Sequence, residues 1–147
     1  DPDEGEAFTA ARRMAIPAVE AKGILMLGDV GVPLPRLGDL VEGIARISAD
    51  RGVTIAVIAH AGDGNTHPLL VLDPDDPEQR LRADAAYGEV MDLATSLGGT
   101  ITGEHGVGRL KKPWLAPYLG PDVMELNQRV KAAFDPGNIM NPGAVYD

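Results

Sequence analysis

The order of apolar patterns along the chain is the feature that most limits its fold. Two amphipathic segments, with apolar residues recurring three and four positions apart, predict helices at 37–51 and 77–97. Short apolar runs typical of buried strands lie before, between and after these helices, at 22–30, 53–59, 68–72 and 100–102. The order β-α-β-β-α-β is the split βαβ unit of ferredoxin-like domains. We therefore predict an α+β fold with both helices on one face of the sheet.

The segments outside this unit predict an N-terminal and a C-terminal helix. The first covers 4–15 and is expected to end before Pro17, and the second is expected to run from Pro121 to Asp135. A chain of 147 residues with 44% hydrophobic side chains is long enough for one domain with its own core. Because the chain opens with Asp1 rather than Met, we expect a processed or cut portion of a longer protein.

Charge and composition exclude several classes of partner. The 22 acidic and 13 basic residues give a net charge of −9, which repels nucleic acid and anionic lipid headgroups. The absence of cysteine excludes a thiolate nucleophile and suits a reducing compartment. No run approaches the roughly 18 apolar residues of a membrane-spanning helix. We therefore expect a cytoplasmic protein without a nucleic-acid partner or membrane span.

The predicted topology brings two histidines and a glutamate together. In the expected sheet the first and third strands lie inside, parallel to each other, and the second and fourth lie outside and run antiparallel. The end of the second strand, the start of the third and the end of the fourth then meet at one edge, where the sequence has His60, His67 and Glu104. Two imidazoles and a carboxylate are a common ligand set for Zn²⁺ or Mn²⁺ that leaves positions open for substrate.

The same pattern has a simpler explanation. The two histidines could lie at strand ends and bond only to the backbone, with Asp63 and Gly64 forming a hairpin turn. Such a hairpin would have the same sequence pattern as a metal site. A calcium loop is excluded here because no bidentate glutamate follows at the required spacing and no helix pair flanks the turn. Spacing alone therefore leaves the metal site and the plain hairpin both open.

Glu104 and His105 are adjacent, so we expect their side chains to point in different directions from a strand end. One can then bind an ion while the other faces a substrate. Histidine titrates near neutral pH, which makes His105 the natural general base for a hydroxyl group, and a nearby cation stabilises the alkoxide that forms. A surface-loop histidine without a chemical role is the alternative.

Three segments of the chain resemble a known family. They are HAGDGNTH at 60–67, GGTITGEHGVG at 98–108 and FDPGNIMNPG at 134–143. In this order they resemble the C-terminal domain of FAD-linked oxidases, within the vanillyl-alcohol-oxidase-like superfamily and its glycolate oxidase and D-lactate dehydrogenase branch. The similarity starts near Arg12 and covers about the second half of the family's C-terminal domain. It implies that residues 1–147 lack the FAD-binding domain and are inactive alone.

The resemblance implies roles for the site residues. His60, His67 and Glu104 would hold a divalent metal, Zn²⁺ or Mn²⁺. His105 would take the hydroxyl proton of a small D-2-hydroxy acid, of the glycolate or D-lactate type, while hydride passes to FAD. The FAD would be held mainly by the missing domain, and the electron acceptor is not identified by these residues.

The resemblance also implies substrate or cofactor contacts for further residues, most of which have a simpler structural explanation. Arg12 stands where the family has an arginine that clamps the substrate carboxylate, although a solvated helix arginine paired with Glu6 fits too. Asn65 and Asn141 correspond to positions near the metal loop and the flavin, although a turn-forming asparagine explains either. Leu69 is apolar where diacid-oxidising members carry a polar residue, which implies a small monocarboxylate substrate.

Two other functions fit the motifs. One is a self-contained metal-dependent hydrolase or lyase in which the ion activates water. The other is a non-catalytic module in which the glycine-rich segments shape an interface.

We also expect one apolar sheet face to stay uncovered, so that the chain self-associates. No role follows from the sequence for Asp29.

Overall fold

The computed structural model describes residues 2–146, which fold around a four-stranded sheet. The strands are β1 (Ile24–Leu27), β2 (Val30–Gly31), β3 (Ile55–His60) and β4 (Asn65–Leu72). The helices are α1 (Pro2–Arg13), α2 (Ala15–Glu20), α3 (Leu37–Arg51), α4 (Pro77–Ser96), α5 (Lys112–Leu119) and α6 (Pro121–Phe134). The predicted α+β class is confirmed. Within this range no helix combines the length and apolar character needed to cross a membrane.

The central strand of the sheet is β4. It pairs with β1 and β2 along one edge and with β3 along the other, and every pairing is antiparallel. The prediction that the first and third strands run parallel is therefore wrong. The crossover through α3 instead makes β1 and β3 parallel, and β4 is inserted between them, so it must oppose both.

The first strand of the sequence pattern is interrupted between β1 and β2. Both parts keep one register against β4. At the interruption the Gly28 amide donates to the Pro68 carbonyl oxygen at 2.7 Å, but Pro68 has no N–H to return. The ladder breaks here, and Asp29, the next residue, lies opposite His67 in the shared register.

Three parts of the chain differ from the sequence prediction. The fourth strand is reduced to one bridge, in which Thr100 and Gly31 exchange backbone hydrogen bonds of 2.8 and 3.3 Å. Pro17 does not end a helix but lies in the first turn of α2, where its missing N–H costs no hydrogen bond. The unpredicted helix α5 contains Pro113 and Pro117, which disguise it as a loop in the sequence.

The core lies between the sheet and helices α3 and α4. Its largest buried side chains come from both helices and from the inner face of the sheet: Leu40, Ile44, Leu70, Tyr87 and Met91. Alternation along β4 turns His67 and Leu69 to the opposite face, which α1 and α2 cover in part. β4 is thus buried on both faces, so the expected bare apolar sheet face is not present at the centre of the sheet. On this face Leu27, in the neighbouring strand β1, remains exposed.

The largest group of exposed apolar side chains lies on α6 and the tail that follows it. Its members recur along one side of the helix and continue past its end: Val123, Leu126, Val130, Phe134, Ile139 and Met140. Phe134 and Ile139 are 79% and 82% exposed. Several exposed apolar side chains along one face of a helix are typical of an association site.

We expect the isolated chain to self-associate through this surface. Light scattering should show an apparent mass that rises with concentration, because association removes apolar area from water. The double change Phe134→Ser and Ile139→Ser should shift the rise to higher concentration. Leu81→Ser removes an exposed leucine elsewhere and should have no effect. A monomeric mass at every concentration would contradict the prediction.

Candidate metal centre

Two imidazoles face the same side of the sheet at the turn between β3 and β4. His60, the last residue of β3, is opposite Asn65, the first of β4, and His67 follows two residues later on the same face. The turn depends on Gly64, which has φ +81° and whose Cβ, if present, would overlap the carbonyl oxygen of Val32. Gly64 is therefore required for the turn that joins β3 to β4, and the register of these strands brings the two rings together.

Glu104 completes a group of three potential ligands with these histidines. Its Oε1 lies 3.2 Å from His67 Nε2 and 3.8 Å from His60 Nε2. The candidate ligand atoms of the three residues lie within 4.8 Å of one another. Ligand atoms around a tetrahedral ion with bonds near 2.1 Å are about 3.4 Å apart. The donor set therefore fits a divalent cation with little rearrangement.

His105 lies in the same site rather than pointing away from it. Its ring stacks on His67 with centroids 4.7 Å apart and an interplanar angle of 14°, and its Nε2 is 3.6 Å from Glu104 Oε1. The expectation that adjacent side chains diverge is wrong here, because both residues belong to an irregular loop and not to a strand end. The candidate base His105 therefore lies directly beside two of the candidate metal ligands, His67 and Glu104.

A buried carboxylate that the sequence left without a role lies beneath this site. Asp29 has no solvent exposure. Its Oδ2 accepts hydrogen bonds from Thr102 Oγ1 at 2.7 Å, from the amides of 103–105 at 2.9–3.2 Å and from Lys111 Nζ at 3.0 Å. Lys111, also buried, donates a further bond to the Asp29 carbonyl oxygen at 2.6 Å. One charged residue inside an apolar run was the only sequence signal for this arrangement.

The surroundings of Asp29 keep it ionised. Burial alone would raise its pKa, but the hydrogen bonds from Thr102, the loop amides and Lys111 outweigh burial and hold the pKa well below its usual range. Burial lowers the pKa of Lys111 despite its contact with Asp29. Because the folded-state pKa of Asp29 is depressed, its stabilising contribution is present above the unfolded-state pKa and is lost as the pH falls towards the folded-state value.

A cavity of about 540 Å³ adjoins the histidines and Glu104. Arg12 and Arg13 border it from the end of α1, and Ile16, Leu27, Ile58 and Leu69 form an apolar wall. Among the described residues neither arginine has an ion-pair partner, and Glu6 is not paired with Arg12. The arrangement combines cationic, apolar and proton-accepting groups around one space.

The two asparagines do not line this cavity. Asn65 lines a second cavity of about 480 Å³, which Gly103 and Glu104 also line. Its Oδ1 is buried without a hydrogen-bond partner in the described part of the chain. Asn141, with φ 51°, lies in the C-terminal tail beside Arg109 and Lys131. The described residues therefore do not bring Asn141 to the histidine site.

Comparison with known proteins identifies the sequence relationship. Residues 1–145 match the family model described as FAD linked oxidases, C-terminal domain. The glycolate oxidase protein GlcD of Bacillus subtilis (strain 168) is 40% identical over 98% of this chain and 31% of its own length. GlcD of Escherichia coli (strain K12) is 39% identical over 96% of the chain and 29% of its length.

A mitochondrial relative shows the same partial coverage. The D-lactate dehydrogenase [cytochrome] of Arabidopsis thaliana is 41% identical over 94% of this chain and 24% of its own length. The chain thus spans less than a third of each of these three relatives. These matches confirm the resemblance drawn from the three motifs.

Proposed function

The chain belongs to the family of C-terminal domains of FAD-linked oxidases, and we propose that it forms the metal- and substrate-binding part of a 2-hydroxy-acid dehydrogenase. The substrate we propose is a small D-2-hydroxy acid, of the glycolate or D-lactate type, which is oxidised to the 2-oxo acid. The observation that carries the proposal is the convergence of His60, His67, Glu104 and His105 on one cavity that Arg12 also borders.

His60, His67 and Glu104 would hold one divalent cation, Zn²⁺ or Mn²⁺. Their donor atoms already lie within 4.8 Å of one another, and two imidazoles with one carboxylate suit both ions. When bound, the ion would polarise the hydroxyl group of the substrate and favour its deprotonation. His67 is suited to binding through Nε2, because its Nδ1 faces the Gly28 carbonyl oxygen at 3.4 Å.

His105 would accept the hydroxyl proton as the C–O bond becomes a carbonyl. It borders the cavity beside Glu104, so it would lie close to a substrate hydroxyl that an ion on Glu104 held. The chemistry that FAD would supply when bound is two-electron oxidation, with the hydrogen on Cα leaving as hydride. The hydroxyl proton and the hydride together account for the two hydrogens that separate the hydroxy acid from the oxo acid.

Arg12 would bind the substrate carboxylate with a bidentate guanidinium contact. The apolar wall at Ile58 and Leu69 offers no polar partner on that side of the cavity, which supports the small monocarboxylate that Leu69 implies in the sequence. Asn65 and Asn141 remain proposed contacts to FAD. The unpartnered Oδ1 of Asn65 supports the first of them.

The remaining partners are also proposals. We expect a FAD-binding domain to complete the enzyme, since the relatives are more than three times as long as their match to this chain. Without that domain the chain should be inactive. A cytoplasmic location remains a prediction from the absence of cysteine, and cell fractionation tests it.

Zn²⁺ titration of the isolated chain tests the metal site. We expect one equivalent to bind and His60→Ala to weaken binding by at least ~10-fold, because losing a ligand should cost no less than losing a residue that only orients one. His105→Ala is the matched control and should keep its metal. Equal loss in both variants would mean that His105 is a ligand, and no binding by the unaltered chain would refute the site.

Steady-state kinetics of the complete enzyme test the roles of His105 and Arg12. His105→Ala should lower kcat by about 10²–10⁴-fold while metal content is kept, because a base acts on the proton-transfer step. Arg12→Ala should chiefly raise KM, because a carboxylate clamp binds ground state and transition state alike. Arg13→Ala, which removes the neighbouring cation, is the control. Normal turnover of the His105 variant would rule out this base.

A further inference from the structure

The loop that presents Glu104 and His105 is held by a single side chain. The amides of residues 103, 104 and 105 all donate to the Asp29 carboxylate, at 2.9, 3.2 and 3.0 Å. Within residues 2–146 these three amides have no other acceptor. The segment has no regular secondary structure of its own, so these bonds define its path.

We propose that Asp29 is a positioning residue for the His60, His67, Glu104 and His105 site. Its carboxylate fixes the backbone of 103–105 and thereby sets the directions in which the Glu104 and His105 side chains leave the loop. Three successive amides around one anion form a compact nest, a geometry that only an acceptor with several lone pairs can satisfy. The inference deepens the proposed function and rests on it for the roles of Glu104 and His105.

The position of Asp29 in the sheet explains why it can hold both halves of the site. It lies opposite His67 in the register of the sheet, and its Oδ1 is 3.9 Å from His67 Nδ1. The same residue therefore lies beside one imidazole of the sheet and anchors the loop that carries the other. The stacking of His67 on His105, at 4.7 Å, is the direct consequence of that shared anchor.

Lys111 and Thr102 also donate hydrogen bonds to Asp29, and both lie on the segment that contains the loop. Lys111 is only 4% exposed and binds both the carboxylate and the carbonyl oxygen of Asp29. It provides the counter-charge that a buried carboxylate requires. Thr102 adds a hydroxyl donor immediately before the three amides. The donors on Oδ2 thus account for the buried charge of Asp29 without a metal ion, although its carboxylate also lies within ligand distance of His67 and His105.

Two variants of the chain test the proposal. Asp29→Asn keeps the size but replaces one acceptor oxygen with a donor that repels the loop amides. Thr102→Val removes one donor and leaves the charge in place, so it serves if the first variant does not fold. The metal-free readout is the nuclear Overhauser effect between the His67 and His105 rings. The second readout is Co²⁺ binding, followed by the intensity and position of its visible absorption bands.

We expect the folded variants to lose or weaken the ring-to-ring effect and to bind Co²⁺ more weakly, by about 10–100-fold for Asp29→Asn, with a changed spectrum. Ile44→Val, which trims the core at a residue of α3, is the control and should change neither readout. Unchanged ring contacts in every folded variant would overturn the proposal. If the unaltered chain binds no Co²⁺, the proposed metal site fails, while the ring contacts still decide the role of Asp29.

Discussion

The pairing of β4 is the constraint on which the rest of the structure depends. As the central strand it is bonded on both edges, and its alternation divides its side chains between the core and the site. Pro68 withholds one hydrogen bond from the neighbouring strand, and the ladder breaks where Asp29 lies opposite His67. The missing N–H of Pro68 thus coincides with the place in the sheet where Asp29 and His67 begin the candidate site.

Next to this break, the negative charge of Asp29 holds together the other parts of the site. The buried Asp29 carboxylate binds Lys111 and accepts hydrogen bonds from the amides of 103–105, so a loop without regular secondary structure acquires a defined path. Breaking such a buried pair typically costs about 3–5 kcal/mol, because the remaining charge is left without a partner. The loop carries Glu104 to the two histidines, which the sheet alone has already placed together.

Much of this could be predicted from sequence because periodicity and motif spacing report local structure. The order of β1, α3, β3, β4 and α4 followed from apolar patterns, whereas α5 was missed and the directions of the strands were predicted wrongly. The meeting of His60, His67 and Glu104 followed from the predicted order of the strand ends. Interactions between distant segments left weaker signals. Nothing near Asp29 in sequence indicates Lys111, which is 82 positions away. The convergence of Glu104 and His105 depends on loop dihedral angles that alternation rules do not describe.

The family relationship and the geometry support the proposal in different ways. Membership in the FAD-linked oxidase C-terminal domains supports the proposed flavin partner domain. The geometry supports the proposed roles of His60, His67 and Glu104 as metal ligands and of His105 as the base beside them. A self-contained hydrolase would require neither the flavin partner nor the arginine that borders the cavity. Under the proposed function, this chain would form one wall of an active site that a FAD-binding domain would complete.

X-ray absorption spectroscopy of the Zn²⁺-loaded chain would identify the atoms bound to the ion. If His60, His67 and Glu104 are the ligands, the ion should have two imidazole nitrogens and one carboxylate oxygen at about 2.0–2.2 Å, with water in the remaining position. Multiple scattering from the rings counts the imidazoles. A shell with three imidazoles would make His105 a ligand and leave no base, and a shell of water oxygens without imidazole would contradict the metal site itself.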